Sequence, residues 1–211
     1  MNDIDGFGPD ALVDMVPVSR ETLSRIVAIV EALDVWRLKT NLIGPNERSH
    51  LWRRHILDSL QLAPLLPKTG GVLDLGSGAG FPGLVLSAVR HVPDGPVTMV
   101  ESVGKKCAFL RAAIATADLN GRVRQARVEA VTDVSAVAVT ARAFAPLPRL
   151  LDYAAVWLEQ GTVGVFPKGR RWQEELTEAQ NYWTFKHEII PSLTSEDGVI
   201  LRLSEVSRVN G

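Results

Sequence analysis

Residues 71–83 read GVLDLGSGAGFPG. Val72, Leu73 and Leu75 enclose Asp74 in an otherwise apolar run, the pattern of a strand buried on both faces of a parallel sheet. Glycines follow at positions 76, 78, 80 and 83. That density suits neither a helix interior nor a sheet interior; it suits a sharp turn whose backbone a ligand approaches closely. Pro82 has the fixed φ that opens a helix, and Gly83-Leu84-Val85-Leu86-Ser87-Ala88-Val89 continues it. Strand, glycine-rich turn and helix N-terminus together present N–H groups to a nucleotide-like ligand.

Two cofactor classes compete for such a turn. Gly78-Ala79-Gly80-Phe81-Pro82-Gly83 satisfies the G-x-G-x-x-G fingerprint of dinucleotide sites. The additional Gly76, and Asp74 inside the strand, point instead to a nucleoside without a pyrophosphate. S-adenosylmethionine is one: it needs close backbone approach and a polar partner for its amino-acid end. The run from Asp74 to Gly80 looks like the first motif of the Rossmann-like methyltransferases. Val97-Thr98-Met99-Val100 then forms a short β-rich run ending at Glu101, 21 positions beyond Gly80, where an acidic residue takes ribose hydroxyls.

The 211 residues are 46% hydrophobic and 22% charged, enough for one α/β domain with an appendage. No apolar run reaches the roughly 18 residues of a membrane span. Asp3, Asp5, Asp10 and Asp14 precede the first basic residue, Arg20, which speaks against a secretory signal. The single Cys107 allows no internal disulfide, and no Cys or His cluster suggests a metal. A reducing cytoplasm is the expected location. Cys107 falls at helical spacing with Val103 and Leu110 and reads as a core residue.

The net charge of −1 conceals an uneven distribution. Residues 104–171 hold eleven Lys and Arg against five Asp and Glu, while residues 172–211 hold three against seven. The basic stretch follows the glycine turn, so a polyanion could meet the cofactor there, with Arg170 and Arg171 as phosphate contacts.

Residues 1–18 are acidic, without a stable period, and are expected to fray. Residues 19–70 read as a helical extension. Ser19 and Thr22 can cap a first helix over 21–38, in which Leu23, Ile26, Val27, Ile29, Val30, Leu33 and Trp36 share a face. A second helix is expected over 47–66, with His55 and Asp58 one turn apart. Two helices cannot bury themselves, so this part must dock on the domain formed by residues 71–211. There strands and helices alternate as in a doubly wound parallel sheet: a helix over 105–119, strands over 122–126 and 134–141, a helix over 147–158, a strand over 161–167 and a helix over 170–182. An antiparallel hairpin over 183–190 and 199–206 closes the sheet. Gly76, Glu101, Val128, Arg142 and Lys168 then lie at the carboxyl ends of strands, where open α/β sheets bind ligands.

With these blocks in place the chain resembles the bacterial small-subunit (16S) rRNA guanine-N7 methyltransferases, long known as the glucose-inhibited division protein B family. The resemblance runs in order through Asn41-Leu42-Ile43, His55-Ile56-Leu57-Asp58-Ser59, the Asp74 to Gly83 block, Glu101-Ser102-Val103-Gly104-Lys105-Lys106, Arg127-Val128-Glu129, Arg142-Ala143-Phe144 and Lys168-Gly169. The glycine block is common to many methyltransferases; the His55 and Arg142 blocks are far more specific. Glu101 stands where many members carry Asp, a change that preserves ribose binding. The last forty or so residues match no family motif.

The resemblance implies an α/β, Rossmann-like S-adenosylmethionine-dependent methyltransferase fold with a helical N-terminal extension. It implies a cofactor site over Asp74, Gly76, Gly78, Gly80, Phe81, Glu101, Val128, Glu129 and Arg142, and a substrate side formed by Asn41, His55, Asp58, Arg127 and Lys168. Arg142 and Lys168 become the residues expected to act on the reacting base. The implied partner is 16S rRNA or the small ribosomal subunit, with the protein a monomer. Guanine N7 carries a lone pair and no proton, so its methylation needs position rather than a general base. An Arg donating to N7 would block the nucleophile, so Arg142 is expected to hold cofactor, guanine O6 or phosphate. His55 and Asp58 read as a structural pair in preference to a catalytic one. The rival readings are a nicotinamide dehydrogenase, a methyltransferase acting on a small molecule or protein and, least favoured because it leaves the cradle without a purpose, a non-catalytic RNA-binding module.

Overall fold

A computed structural model describes residues 2–44 and 46–209. Its strands are β1 (Val72–Leu75), β2 (Val97–Glu101), β3 (Gly121–Gln125), β4 (Ala138–Thr140), β5 (Val163–Lys168), β6 (Trp183–Pro191) and β7 (Val199–Arg208). Its α-helices are α1 (Pro9–Met15), α2 (Arg20–Trp36), α3 (Asp58–Leu60), α4 (Gly83–Val89), α5 (Gly104–Thr116), α6 (Leu147–Leu158) and α7 (Trp172–Ala179). The strands form one sheet in the order β3-β2-β1-β4-β5-β7-β6. β1 to β5 run parallel, and β7 lies antiparallel between β5 and β6. The chain winds outward from β1 in one direction and then from β4 in the other. That leaves a crevice between β1 and β4 at their carboxyl ends, the place where such sheets take ligands.

All four residues of β1 are buried, as the apolar run predicts for a central parallel strand. β4 is shorter than the expected 134–141. Trp157 Nε1 donates to the Val134 carbonyl at 2.7 Å and Thr162 Oγ1 to the Ala136 carbonyl at 2.9 Å, so side chains take acceptors that a longer strand would offer to its neighbour.

Helices cover both faces. One core contains Leu150, Leu151, Ala154 and Trp157 of α6 and Leu176 of α7 against the inner residues of β4, β5 and β7. A second contains Leu84 and Val85 of α4 and Phe109 and Leu110 of α5 together with Ile26, Ile29, Val30 and Leu33 of α2. The apolar stripe of α2 is thus the docking face of the N-terminal extension. Ser19 Oγ accepts from the Thr22 N–H at 3.1 Å, satisfying a donor at the start of α2.

Two expectations for the N-terminal region are corrected. Residues expected to fray form α1, with Leu12 and Phe7 buried. The buried Asp3 carboxylate accepts from the backbone N–H groups of Trp52 and Arg53, both at 2.9 Å. The single helix expected over 47–66 is instead a 3-10 turn (Glu47–His50), a wide π-type turn (Trp52–Leu57), α3 and another 3-10 turn (Ala63–Leu65). Residues 3 and 4 interrupt the ladder: Asp3 takes two donors of a continuous helix, and the Ile4 N–H takes the Ser49 carbonyl at 2.8 Å.

Candidate functional site

The glycine turn after β1 builds the first half of the site. Gly76 has φ +65°, and a Cβ there would strike the Phe144 ring. Gly78 has φ +56°, and a methyl group added to it would find no protein atom nearer than the Gly76 carbonyl oxygen at 3.8 Å. The missing side chain of Gly78 therefore leaves open space rather than room for a neighbour. Gly80 differs: a Cβ there would strike Leu84, so this glycine serves the packing of α4. Glu101 ends β2 with its carboxylate fixed, Oε2 accepting from the Gly78 N–H at 2.9 Å and Oε1 from the Val103 N–H at 2.7 Å. Gly76, Glu101, Arg127, Val128, Glu129, Phe144 and Tyr153 line a cavity of about 240 Å³ over this turn. A carboxylate with lone pairs to spare for ribose hydroxyls, beside a loop that leaves its surface bare, fits an adenosyl group.

Two expected cofactor residues lie beneath the turn. Asp74 is fully buried; Oδ2 accepts from the Gly83 N–H at 3.2 Å, while Oδ1 has no hydrogen-bond partner among the described residues. It braces the start of α4 and lines neither cavity of the site. Burial pushes its carboxyl up to about 7 against the pull of hydrogen bonds. Phe81 is also buried, its ring 5.0 Å from that of His55.

The second half is organised around Arg142, which follows β4. Its Nε lies 2.8 Å from Asp58 Oδ2 in an ion pair, one terminal nitrogen meets His55 Nδ1 at 2.8 Å, and the other donates to the Arg54 carbonyl at 2.8 Å. A guanidinium only donates, so His55 Nδ1 must accept, and the ring proton sits on Nε2, where it donates to Glu47 at 2.8 Å. Burial, then the adjacent Arg142 charge, push the imidazole down to about 4, so His55 is neutral. Ala143, next in the chain, has φ +51°, a conformation that L-residues rarely adopt. That turn sends Arg142 toward the N-terminal extension and Phe144 toward Gly76.

Arg54, Asp58, Arg142, Phe144, Lys168, Glu175 and part of the turn between β6 and β7 line a larger cavity of about 620 Å³. Phe144 borders both cavities, so they adjoin at the β1–β4 crevice. Lys168 is in the wall, but its ammonium is already engaged: it donates to the Ala145 carbonyl at 2.9 Å and to Glu175 at 2.8 Å. Desolvation lowers its pKa from the ordinary lysine value. Of the expected substrate-side residues, Asp58 and Lys168 line this cavity, and His55 holds Arg142 from behind. Arg127 borders the smaller cavity instead, and exposed Asn41 borders neither.

Sequence reasoning missed Phe144 as the wall between the cavities, Glu47 as the partner of His55, and the role of the turn between β6 and β7. The first was within reach, since Phe144 completes the Arg142 block. The other two depend on contacts between distant segments.

Comparison with known proteins is consistent along nearly the whole chain. Residues 22–200 match the family described as rRNA small subunit methyltransferase G. The ribosomal RNA small subunit methyltransferase G of Hyphomonas neptunium is 60% identical over 193 residues, covering 92% of each chain. That of Paramagnetospirillum magneticum is 46% identical over 204 residues, covering 96% of this chain and 98% of its own. Among solved structures, the O-methyltransferase from Bacillus cereus in complex with SAH superposes with a TM-score of 0.58 at 14% identity, over 93% of this chain and 96% of that one. M. jannaschii TYW2 in complex with AdoMet gives 0.55 at 15% identity, over 78% and 81%. At such low identity these two show the fold alone.

Proposed function

The chain belongs to the rRNA small subunit methyltransferase G family, and from that premise we propose that it transfers a methyl group to N7 of a guanine in 16S rRNA. S-adenosylmethionine is the cofactor; when bound, it supplies a methyl group on a positively charged sulfur. The observation that carries the reading is the meeting of two cavities at Phe144, one holding the Glu101 carboxylate fixed by backbone N–H groups and one walled by Arg142.

The division of labour follows from which groups are already engaged. Glu101 and the backbone around Gly78 hold the nucleoside. Arg142 has five N–H donors: two are hydrogen-bonded to the N-terminal extension, the one on Nε faces Asp58 in the ion pair, and the others are available for guanine O6 or a phosphate. Asp58 is paired with Arg142, and Glu175 with Lys168 and the Leu147 N–H. Neither carboxylate is poised to take a proton, and the reaction asks for none. Guanine N7 forms a bond to the methyl carbon as the carbon–sulfur bond breaks, its electron pair going to sulfur, and the base becomes cationic. The protein contributes orientation and a setting that tolerates charge moving from sulfur to purine. The rRNA meets a monomer in the cytoplasm in this reading; no helix among the described residues is long and apolar enough to cross a membrane.

The test is transfer of labelled methyl from S-adenosylmethionine to rRNA and to small ribosomal subunits, followed by mapping of the labelled base. Label at guanine N7 is the expected result. Label at another atom, or turnover that ignores RNA, overturns it.

A further inference from the structure

The turn between β6 and β7 belongs to the stretch for which sequence offered no role, yet it forms one wall of the larger cavity through Ser192, Thr194, Ser195 and Gly198. Two side chains from the segment that holds Arg142 tie it in place. Gln61 Oε1 accepts from the Leu193 N–H at 2.8 Å, which fixes the orientation of the amide, and Gln61 Nε2 donates to Asp58 Oδ1 at 2.8 Å. Thr194 Oγ1 donates to the same Asp58 Oδ1 at 2.6 Å. The other oxygen of that carboxylate, Oδ2, forms the ion pair with Arg142, 2.8 Å from its Nε. Thr194 is itself held by Ser192, whose Oγ accepts from the Thr194 N–H at 3.1 Å.

His55 and the Arg54 carbonyl hold the two terminal nitrogens of Arg142; a carboxylate that met only Arg142 could rotate about its last torsion and leave the Nε edge of the guanidinium loosely held, because such terminal torsions are broad. Two donors on Oδ1 remove that freedom. We propose that Thr194 is a positioning residue for methyl transfer: through Asp58 it fixes the direction in which Arg142 presents its remaining donors to the base. The turn therefore sets substrate geometry from the C-terminal hairpin, 136 positions from the carboxylate it grips. This rests on the guanine-N7 reading for the identity of the base, but not for the geometry of Arg142.

The test uses Thr194→Val, which keeps the shape and removes the donor, and Thr194→Ser, which keeps the donor. Single-turnover methylation of small ribosomal subunits at saturating cofactor is expected to fall about tenfold or more in Thr194→Val, the scale of one missing charge-assisted hydrogen bond. Cofactor affinity by calorimetry should be unchanged, and Thr194→Ser should restore the rate. Independently of any substrate, the Arg142 guanidinium N–H protons in the full-length protein should exchange with water faster in Thr194→Val than in wild type, as seen by NMR. A wild-type exchange rate in Thr194→Val overturns the proposal whatever the substrate is. So does a loss of rate that Thr194→Ser does not restore, or one that comes with an equal loss of cofactor affinity. Absence of rRNA methylation by the wild-type enzyme, with the exchange difference present, overturns the functional reading and leaves the positioning intact.

Discussion

Asp74 and His55 are both buried, and their protonation works against each other. Asp74 holds its proton to about 7 in the folded protein against 3.8 as an isolated group. Its contribution to stability is full below the unfolded value and is lost as pH rises through about 7. His55 is depressed to about 4 from 6.5. Its contribution is full above the unfolded value and is lost as pH falls toward about 4. Between those limits the two slopes have opposite sign and offset one another. Asp74→Asn imitates the protonated carboxyl at every pH and removes one slope. Acidification from about pH 6.5 to 4 should then cost the variant on the order of 3 kcal/mol more than wild type in urea unfolding; parallel profiles would show that the offset does not exist. A second residue-scale prediction concerns Gly78, whose missing side chain faces open space at φ +56°. Gly78→Ala should cost about 1 kcal/mol in backbone strain, a few degrees in Tm for a chain of this size. If the loop lies against the cofactor, affinity by calorimetry should drop by far more, about tenfold at least. Affinity and stability falling in step would place the cofactor elsewhere. Gly78 was legible in sequence because glycine density is a local signal; the hold on Arg142 was not, because His55, Asp58 and Thr194 meet only after folding.

At the scale of elements, the periodic ones were read with the right type and order. The α2 stripe, β1, β2, α6 and the closing hairpin each carry their signal in consecutive residues. What failed was the segment over residues 47–66, read as one helix, and residues 1–18, read as frayed. Both failures have one cause: the structure of each is set by the other. Asp3 satisfies two backbone donors about fifty residues away, and the Arg53 guanidinium lies 4.3 Å from the centre of the Phe7 ring. Composition says nothing of such a partnership. Asp3→Ala should therefore behave as the loss of a helix cap from an unexpected quarter, destabilising by about 1–2 kcal/mol, or roughly 2–8 °C in Tm. It should also slow methyl transfer, since the turn it caps continues directly into His55 and Asp58. Thermal melts and single-turnover rates of the variant check both; an unchanged Tm would mean that the N-terminal contacts are idle.

For the molecule as a whole, a parallel sheet gathers every strand-to-helix loop on one rim, so cations spread through the sequence end up around one opening. Lys105 and Lys106 follow β2, Arg127 follows β3, Arg142 follows β4, and Arg170 and Arg171 follow β5. The basic balance of residues 104–171 thus falls largely on one rim, where the proposed rRNA contact would use it, although the net charge of −1 gives no sign of it. The structure also divides these cations in a way that sequence could not. Arg170 pairs with Asp197 at 3.0 Å and Arg171 with Glu174 at 2.8 Å, all four side chains being well exposed. Exposed pairs are worth about 0–1 kcal/mol each, so phosphate can displace the carboxylates at little cost. Lys105 and Lys106 are not in ion pairs among the described residues and can bind phosphate without any exchange. The pairs therefore predict a difference between two double variants. Lys105→Gln with Lys106→Gln should flatten the dependence of log affinity for rRNA on log salt by roughly 0.7–0.9 for each phosphate no longer bound. Arg170→Gln with Arg171→Gln should flatten the same slope but weaken binding less, because the wild-type arginines must first give up their carboxylates. Titration of labelled rRNA at several salt concentrations measures both quantities. Slopes unchanged in both variants would remove the rim from the RNA interface and leave Arg142 to meet its substrate from another direction.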